Sequence, residues 1–268
     1  LCTMIPRLDQ LRNSILQVNR LVDIDTEATT HRAAARLEAI KGRVSFVNVS
    51  MRYSPEGSPL FSGLTFEALP GDIVAITGTN GSGKSSLLKM VKGMYVPTTG
   101  SVRIDGFDIR HIAYIPQNTS FFHGTIAENL RFSNPLAGTR EIEIALGQAG
   151  VLNDIRALPE GLNTIIGGDG NLRLSSSLEL RLAMVRAYLH DSSILLIDEL
   201  PNSLLSEEAG TFLRDHLLRY RRKRTVIMVT HREDFMNMAD TIVVMQRDVP
   251  PQVGPRAFML GKLRTEQW

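Results

Sequence analysis

Lys84 and Ser85 close the stretch Gly78-Thr79-Asn80-Gly81-Ser82-Gly83-Lys84-Ser85, which fits the pattern G-x-x-x-x-G-K-[ST]. These residue types at this spacing suit one chemical task, the holding of a chain of phosphates. Glycines let the loop wrap tightly enough for its backbone N–H groups to converge on phosphate oxygens, and a following helix adds partial positive charge beneath them. Lys84 is then placed to reach β- and γ-phosphates, and the Ser85 hydroxyl to hold a magnesium ion. The flanks agree. Ile73-Val74-Ala75-Ile76-Thr77 reads as a buried strand and Ser86-Leu87-Leu88-Lys89-Met90-Val91-Lys92 as a helix, the strand–loop–helix setting that the motif requires.

Phosphate hydrolysis needs two further groups, a carboxylate that positions magnesium and a group that orients water. Asp198-Glu199 ends the apolar run Ile194–Ile197, and strand ends are where α/β sheets present ligand groups. Asp198 is the expected magnesium holder, through water, and Glu199 the group that polarises the attacking water. His231 follows the run Thr225–Thr230 and reads either as a donor to the γ-phosphate or as a structural histidine. Gln117 follows the run around Tyr114 and is placed to reach the magnesium or the attacking water. Tyr53 either stacks on an adenine base or simply packs.

The elements that must carry these groups are readable from hydrophobic periodicity. Alternating runs Val44–Ser50 and Leu64–Leu69 precede the loop, and Ser101–Gly106 and His111–Pro116 follow it as strands. From Thr125 to about Leu189 the pattern is helical, with candidates Ile126–Phe132, Thr139–Gly147 and Leu178–Leu189. Buried strands are expected at Ile194–Ile197, Thr225–Thr230 and Thr241–Met245, with a helix at Glu207–Arg219. The tail from Gln246 contains Pro250-Pro251 and reads as weakly structured until Arg256–Leu263. At the other end, Leu8, Leu11, Ile15, Val18 and Val22 mark an amphipathic helix over residues 7–24, and Asp23–Arg36 reads as a polar linker.

The chain has 268 residues, enough for one large α/β domain with an appendage. A net charge of +2 argues against a broad nucleic-acid-binding surface. The single cysteine, Cys2, permits no internal disulfide and suits a reducing compartment. No apolar run approaches the ~20 residues that span a bilayer. The first residue is Leu1 rather than Met, which reads as a piece of something longer.

The order aromatic, phosphate loop, Gln, helical insert, DE-ended strand, His-ended strand resembles the nucleotide-binding domain of ABC transporters, most of all the exporter type. The resemblance covers roughly residues 40–245. Tyr53 falls at that family's A-loop, Gly78–Ser85 at Walker A, Gln117 at the Q-loop, Ile194–Glu199 at Walker B and His231 at the switch histidine. Phe122-His123-Gly124-Thr125-Ile126-Ala127-Glu128-Asn129-Leu130 and Leu158-Pro159-Glu160-Gly161-Leu162-Asn163-Thr164 are similar to exporter stretches. The pattern departs in four places, one of them a stretch between Asp108 and the Gln117 strand that is shorter than usual. The family signature Leu-Ser-Gly-Gly-Gln stands here as Leu174-Ser175-Ser176-Ser177-Leu178, Leu205 takes the place of the D-loop aspartate, and Gly168 that of the X-loop glutamate. Serine at 176 and 177 adds Cβ atoms where the family's backbone approaches a phosphate, while Ser175 retains its hydroxyl.

The resemblance implies an α/β fold of the P-loop NTPase, ABC type, with a mixed β core and an inserted α-helical subdomain at roughly 120–190. Residues 42–268 form the ATPase domain, and residues 1–41 are a helix and linker from an upstream membrane domain. It implies ATP and Mg2+ as cofactors, with Tyr53, Gly78, Asn80, Gly81, Ser82, Gly83, Lys84, Ser85, Ser86 and Ser175 contacting nucleotide. Ser85, Gln117 and Asp198 are assigned to the metal, and Glu199, His231 and Gln117 to catalysis. The expected partners are a second ABC ATPase domain, identical or not, and a transmembrane domain on the same chain; no nucleic acid is expected. The expected place is the cytoplasmic face of a membrane, a bacterial inner membrane, and the expected function is ATP hydrolysis that powers export. The alternative is a nucleotide-gated dimerisation module with little hydrolysis, half of an asymmetric transporter.

Overall fold

The computed structural model describes residues 42–54, 56–105, 111–168, 173–190, 192–199 and 207–265. The expected helix at 7–24, the linker after it, and Leu205 lie outside them.

A six-stranded sheet forms the centre. Its strands are β3 (Ile73–Gly78), β5 (Ile112–Ile115), β8 (Ile194–Ile197), β9 (Thr225–Val229), β10 (Thr241–Gln246) and β11 (Val249–Pro255), in the order β11-β10-β3-β9-β8-β5. All neighbours are parallel except β10 and β11. A parallel sheet is covered on both faces, which is why β8 and β9 read as unbroken apolar runs and every residue in them is buried. Successive side chains go to opposite faces. Ile73 and Ala75 join one core, with Leu195, Val226 and Met228, while Val74 and Ile76 join the other, with Leu196, Ile227 and Val229.

The second core is closed by helix α1 (Lys84–Val91), through Leu87 and Leu88, and by a three-stranded antiparallel sheet of β2 (Phe61–Ala68), β1 (Val44–Met51) and β4 (Thr99–Ile104). Phe46 and Phe66 are cross-strand partners there, with stacked rings 4.5 Å apart.

The block after β5 has a core of its own. Helices α2 (Ile126–Arg131), α3 (Thr139–Gln148), α4 (Leu152–Arg156) and α5 (Ser176–Leu189) bury Ile126, Leu130, Ile142, Leu146 and Val185 together. A short strand pair, β6 (Gly124–Thr125) with β7 (Ile165–Ile166), interrupts the helices. Thr125 starts α2 with a reciprocal cap: its side chain accepts from the Glu128 amide while Glu128 Oε2 accepts from the Thr125 amide. Helix α5 is shared between two cores. Leu180 and Met184 face the sheet, and Leu182 and Val185 face the other helices. Its apolar residues therefore run all round, as in a helix buried on every side.

Two expectations need correction. Helix α5 begins at Ser176, two residues before the apolar pattern starts, because Ser175 supplies an N-cap. The tail after Gln246 is not weakly structured: it turns at Arg247-Asp248, with Asp248 at φ 60°, and returns as β11. Pro250 and Pro251 donate no hydrogen bond, yet β11 is an edge strand and its register shifts beside them, the setting in which a strand tolerates proline. Helices α6 (Glu207–Tyr220), α7 (Glu233–Met236) and α8 (Arg256–Thr265) complete the described residues. None of these helices is long and apolar enough to cross a membrane.

Candidate nucleotide site

Because β3, β5, β8 and β9 are parallel, their carboxyl ends lie along one edge of the sheet. That edge receives the phosphate loop from β3, Gln117 from β5, Asp198-Glu199 from β8 and His231 from β9.

The loop leaves β3 at Gly78, whose φ is 128°. A Cβ there would sit 1.7 Å from the Met245 carbonyl oxygen of β10, so no side chain fits. Gly83 caps α1 in the left-handed region and offers no side chain to the first-turn amides, which leaves those amides to a ligand. Lys84 is 6% exposed, and its Nζ donates to the carbonyls of Gly78 (2.9 Å) and Thr79 (2.8 Å). Burial pulls its pKa below the ordinary lysine value, and the charges of Glu199 and Asp198 oppose that shift.

Asp198 is 3% exposed. Its Oδ1 accepts from Ser85 Oγ at 2.8 Å and from the Glu199 amide at 2.9 Å, and its Oδ2 accepts from the Tyr114 hydroxyl at 2.9 Å. Burial first, and then the Asp198 charge and hydrogen bond, push the Tyr114 hydroxyl far above its ordinary range, so it stays protonated and donates. Glu199 Oε1 stands 3.3 Å from His231 Nε2, and His231 Nδ1 stands 3.4 Å from Thr77 Oγ1. The imidazole thus lies between a carboxylate and a hydroxyl at the end of β3.

Tyr53, Leu60, Asn80, Gly81, Gly83, Lys84, Ser85, Ser86, Gln117 and Glu199 line one open cleft of about 400 Å³. Tyr53 is 66% exposed, so its ring is not buried packing. Its hydroxyl is 2.6 Å from Ser86 Oγ, and Tyr95 meets the ring edge-on. Gly78, Ser82 and Asp198 belong to the loop and strand ends behind this wall. The Ser82 hydroxyl is fully buried and has no hydrogen-bond partner. His231 is joined to the site through Glu199. Ser175 is not part of the cleft wall; it is exposed at the start of α5 and accepts from the Leu178 amide at 3.3 Å.

The donor set fits magnesium. Ser85 and Asp198 offer hard oxygen atoms side by side, and no cluster of three or more His, Cys, Asp or Glu side chains occurs among the described residues. An ion that retains water and takes most of its ligands from phosphates suits such a sparse set.

Sequence reasoning missed several residues that the fold brings to this edge. Tyr114 and Thr77 are strand residues whose contacts depend on neighbouring strands. Asn129 and Arg186 hold the segment after Gln117: Asn129 exchanges hydrogen bonds with the Phe122 backbone, and Arg186 donates to Asn129 and to the Ser120 carbonyl. The Arg186 guanidinium also lies 4.3 Å from the Phe121 ring. An arginine set among apolar residues in a helix, as Arg186 is, is a signal of such an anchor, but the loop it meets is not readable from spacing.

Comparison with known proteins identifies the family. The family model described as "ABC transporter" matches residues 61–202. The ATP-dependent lipid A-core flippase of Chromobacterium violaceum is 35% identical over 233 residues, covering 84% of this chain and 40% of that protein. The human ATP-binding cassette sub-family B member 6 is 32% identical over 272 residues, covering 96% of this chain and 32% of its own length. Among solved structures, a bacterial Atm1-family ABC exporter with ATP bound superposes with a TM-score of 0.84 at 28% identity, covering 98% of this chain and 47% of that one. The chain spans less than half the length of these relatives. It belongs to the ABC transporter family, as a nucleotide-binding domain of the exporter type.

Proposed function

We propose that this domain binds ATP with Mg2+ in the cleft between Tyr53 and Glu199 and hydrolyses it to drive export through a membrane partner. The observation that carries the reading is the convergence of Lys84, Ser85, Asp198 and Glu199, from two strand ends, on one phosphate loop.

The loop amides and Lys84 hold the phosphates, Lys84 exchanging its carbonyl partners for phosphate oxygens. Ser85, Asp198 and Gln117 would hold the metal, which would supply positive charge to neutralise the phosphates. The Tyr53 ring supports the base. Glu199 takes a proton from the attacking water, and His231, held at Nδ1 by Thr77, turns its Nε2 from the Glu199 carboxylate toward the γ-phosphate when nucleotide binds. Ser175, at the exposed start of α5, serves the cleft of a paired domain rather than its own.

The relatives named as a flippase and an exporter support a working unit that contains a transmembrane domain and a second nucleotide-binding domain. We place that unit at a membrane with this domain on the cytoplasmic face.

The test is Lys84→Ala, followed by nucleotide titration of the variant and wild type after thermal melts show both folded. Binding should vanish, because the charge facing the phosphates is gone. Near-normal affinity in the variant contradicts the phosphate-loop reading.

A further inference from the structure

The Walker B carboxylate has a partner that the metal assignment does not use. Tyr114 lies on β5, the outermost parallel strand, and pairs in register with Leu196 of β8. Paired residues on neighbouring strands face the same way, and so does the residue two further on, which here is Asp198. The register thus delivers the Tyr114 ring, half-buried against the core, to the same side of the sheet as the carboxylate. The two strands are also pinned at this point, since the Asp198 amide donates to the Ile115 carbonyl at 2.8 Å.

A carboxylate that serves a metal must present a chosen oxygen in a chosen direction. Oδ1 of Asp198 accepts from Ser85 Oγ and from the Glu199 amide, while Oδ2 accepts from the Tyr114 hydroxyl. Hydrogen bonds on both oxygens fix rotation about the Cβ–Cγ bond. A phenylalanine at 114 would fill the same place against the core, so the hydroxyl itself has a task distinct from packing.

We propose that Tyr114 is a positioning residue for the metal, its hydroxyl holding Asp198 Oδ2 so that Oδ1 stays turned toward Ser85. The role rests on the assignment of Asp198 and Ser85 to Mg2+ made above. Tyr114 acts through Asp198 and touches neither nucleotide nor metal.

The experiment uses the full chain as wild type, Tyr114→Phe, Asp198→Asn and the double variant. ATP affinity is measured in EDTA and across a Mg2+ titration, beside thermal melts. Tyr114→Phe should keep Mg2+-free affinity within about 2-fold and raise the half-saturating Mg2+ concentration about 10-fold, the lower end of the range for one hydrogen bond to a charged group. In the Asp198→Asn background the same change should add less than about 2-fold, because the two residues act as one unit. Equal losses with and without Mg2+ would reduce Tyr114 to a structural residue and overturn the proposal. So would an unchanged or tighter Mg2+ requirement, or an undiminished effect in the Asp198→Asn background. A wild-type protein indifferent to Mg2+ would overturn the metal assignment of Asp198 itself, and this role with it.

Discussion

Ser85 Oγ donates to Asp198 Oδ1 at 2.8 Å, and this bond joins the first turn of α1 to the end of β8 across 113 residues of sequence. It places a hydroxyl and a carboxylate side by side at the mouth of the phosphate loop. The pair has the hardness that magnesium requires, and Asp198 is too deeply buried to serve as a casual surface acid.

Ser85→Ala removes one proposed metal ligand and one hydrogen bond to a buried carboxylate. ATP binding in EDTA should change little, whereas the gain in affinity on adding Mg2+ should shrink by about 10-fold or more, the range of a lost bond to a charged group. Titrating nucleotide with and without Mg2+ checks this. Equal weakening in both conditions would show that Ser85 serves the loop and not the metal.

The ring and the hydroxyl of Tyr53 have separate proposed roles, which substitution distinguishes. Its ring is exposed to the cleft, and its hydroxyl meets Ser86 Oγ, on a residue that is 3% exposed. Tyr53→Ala should weaken ATP binding by ~1–3 kcal/mol, the value of a base stacked on an aromatic. Tyr53→Phe retains the ring, so affinity should hold within about 0.5 kcal/mol while folding stability falls by ~1 kcal/mol for the orphaned Ser86 hydroxyl. Calorimetric binding and a denaturant melt on both variants decide it; equal loss of affinity in both would assign the contact to the hydroxyl.

The signature stretch makes a prediction about pairing. Ser176 and Ser177 occupy the first turn of α5 behind the Ser175 cap, where the resemblance to the family's signature leads to an expectation of glycines. Restoring Ser176→Gly, Ser177→Gly and Leu178→Gln together should raise the ATPase rate of a homodimer and steepen its dependence on protein concentration. The glycines should cost a little helix stability, up to ~1 kcal/mol each. A repaired protein no faster at any concentration would move attention to Gly168 and Leu205, or to a domain that clamps nucleotide with little turnover.

Much of the site was legible because its chemistry is local. The phosphate loop is one unbroken segment, and Asp198-Glu199 and His231 each follow a short apolar run that reads as a buried strand and is one. The rest depends on pairings that spacing does not carry. Tyr114 finds Asp198 only because β5 and β8 lie in register, and Arg186 finds Asn129 across 57 residues. Strand β11 was hidden by two prolines that an edge position tolerates, and the start of α5 by a serine cap outside the apolar pattern. Helix α5 itself shows weak periodicity because two cores claim opposite faces of it.

The most direct measurement is phosphate release and ATP binding on one preparation of Glu199→Gln. The substitution keeps size and hydrogen bonding and removes the carboxylate proposed to take the water proton, while the Glu199 amide still donates to Asp198 Oδ1. Binding of ATP with Mg2+ should persist near the wild-type level, and hydrolysis should fall by ~10²-fold or more, as expected for loss of a general base. Turnover that survives the change, or binding that fails together with it, contradicts the account.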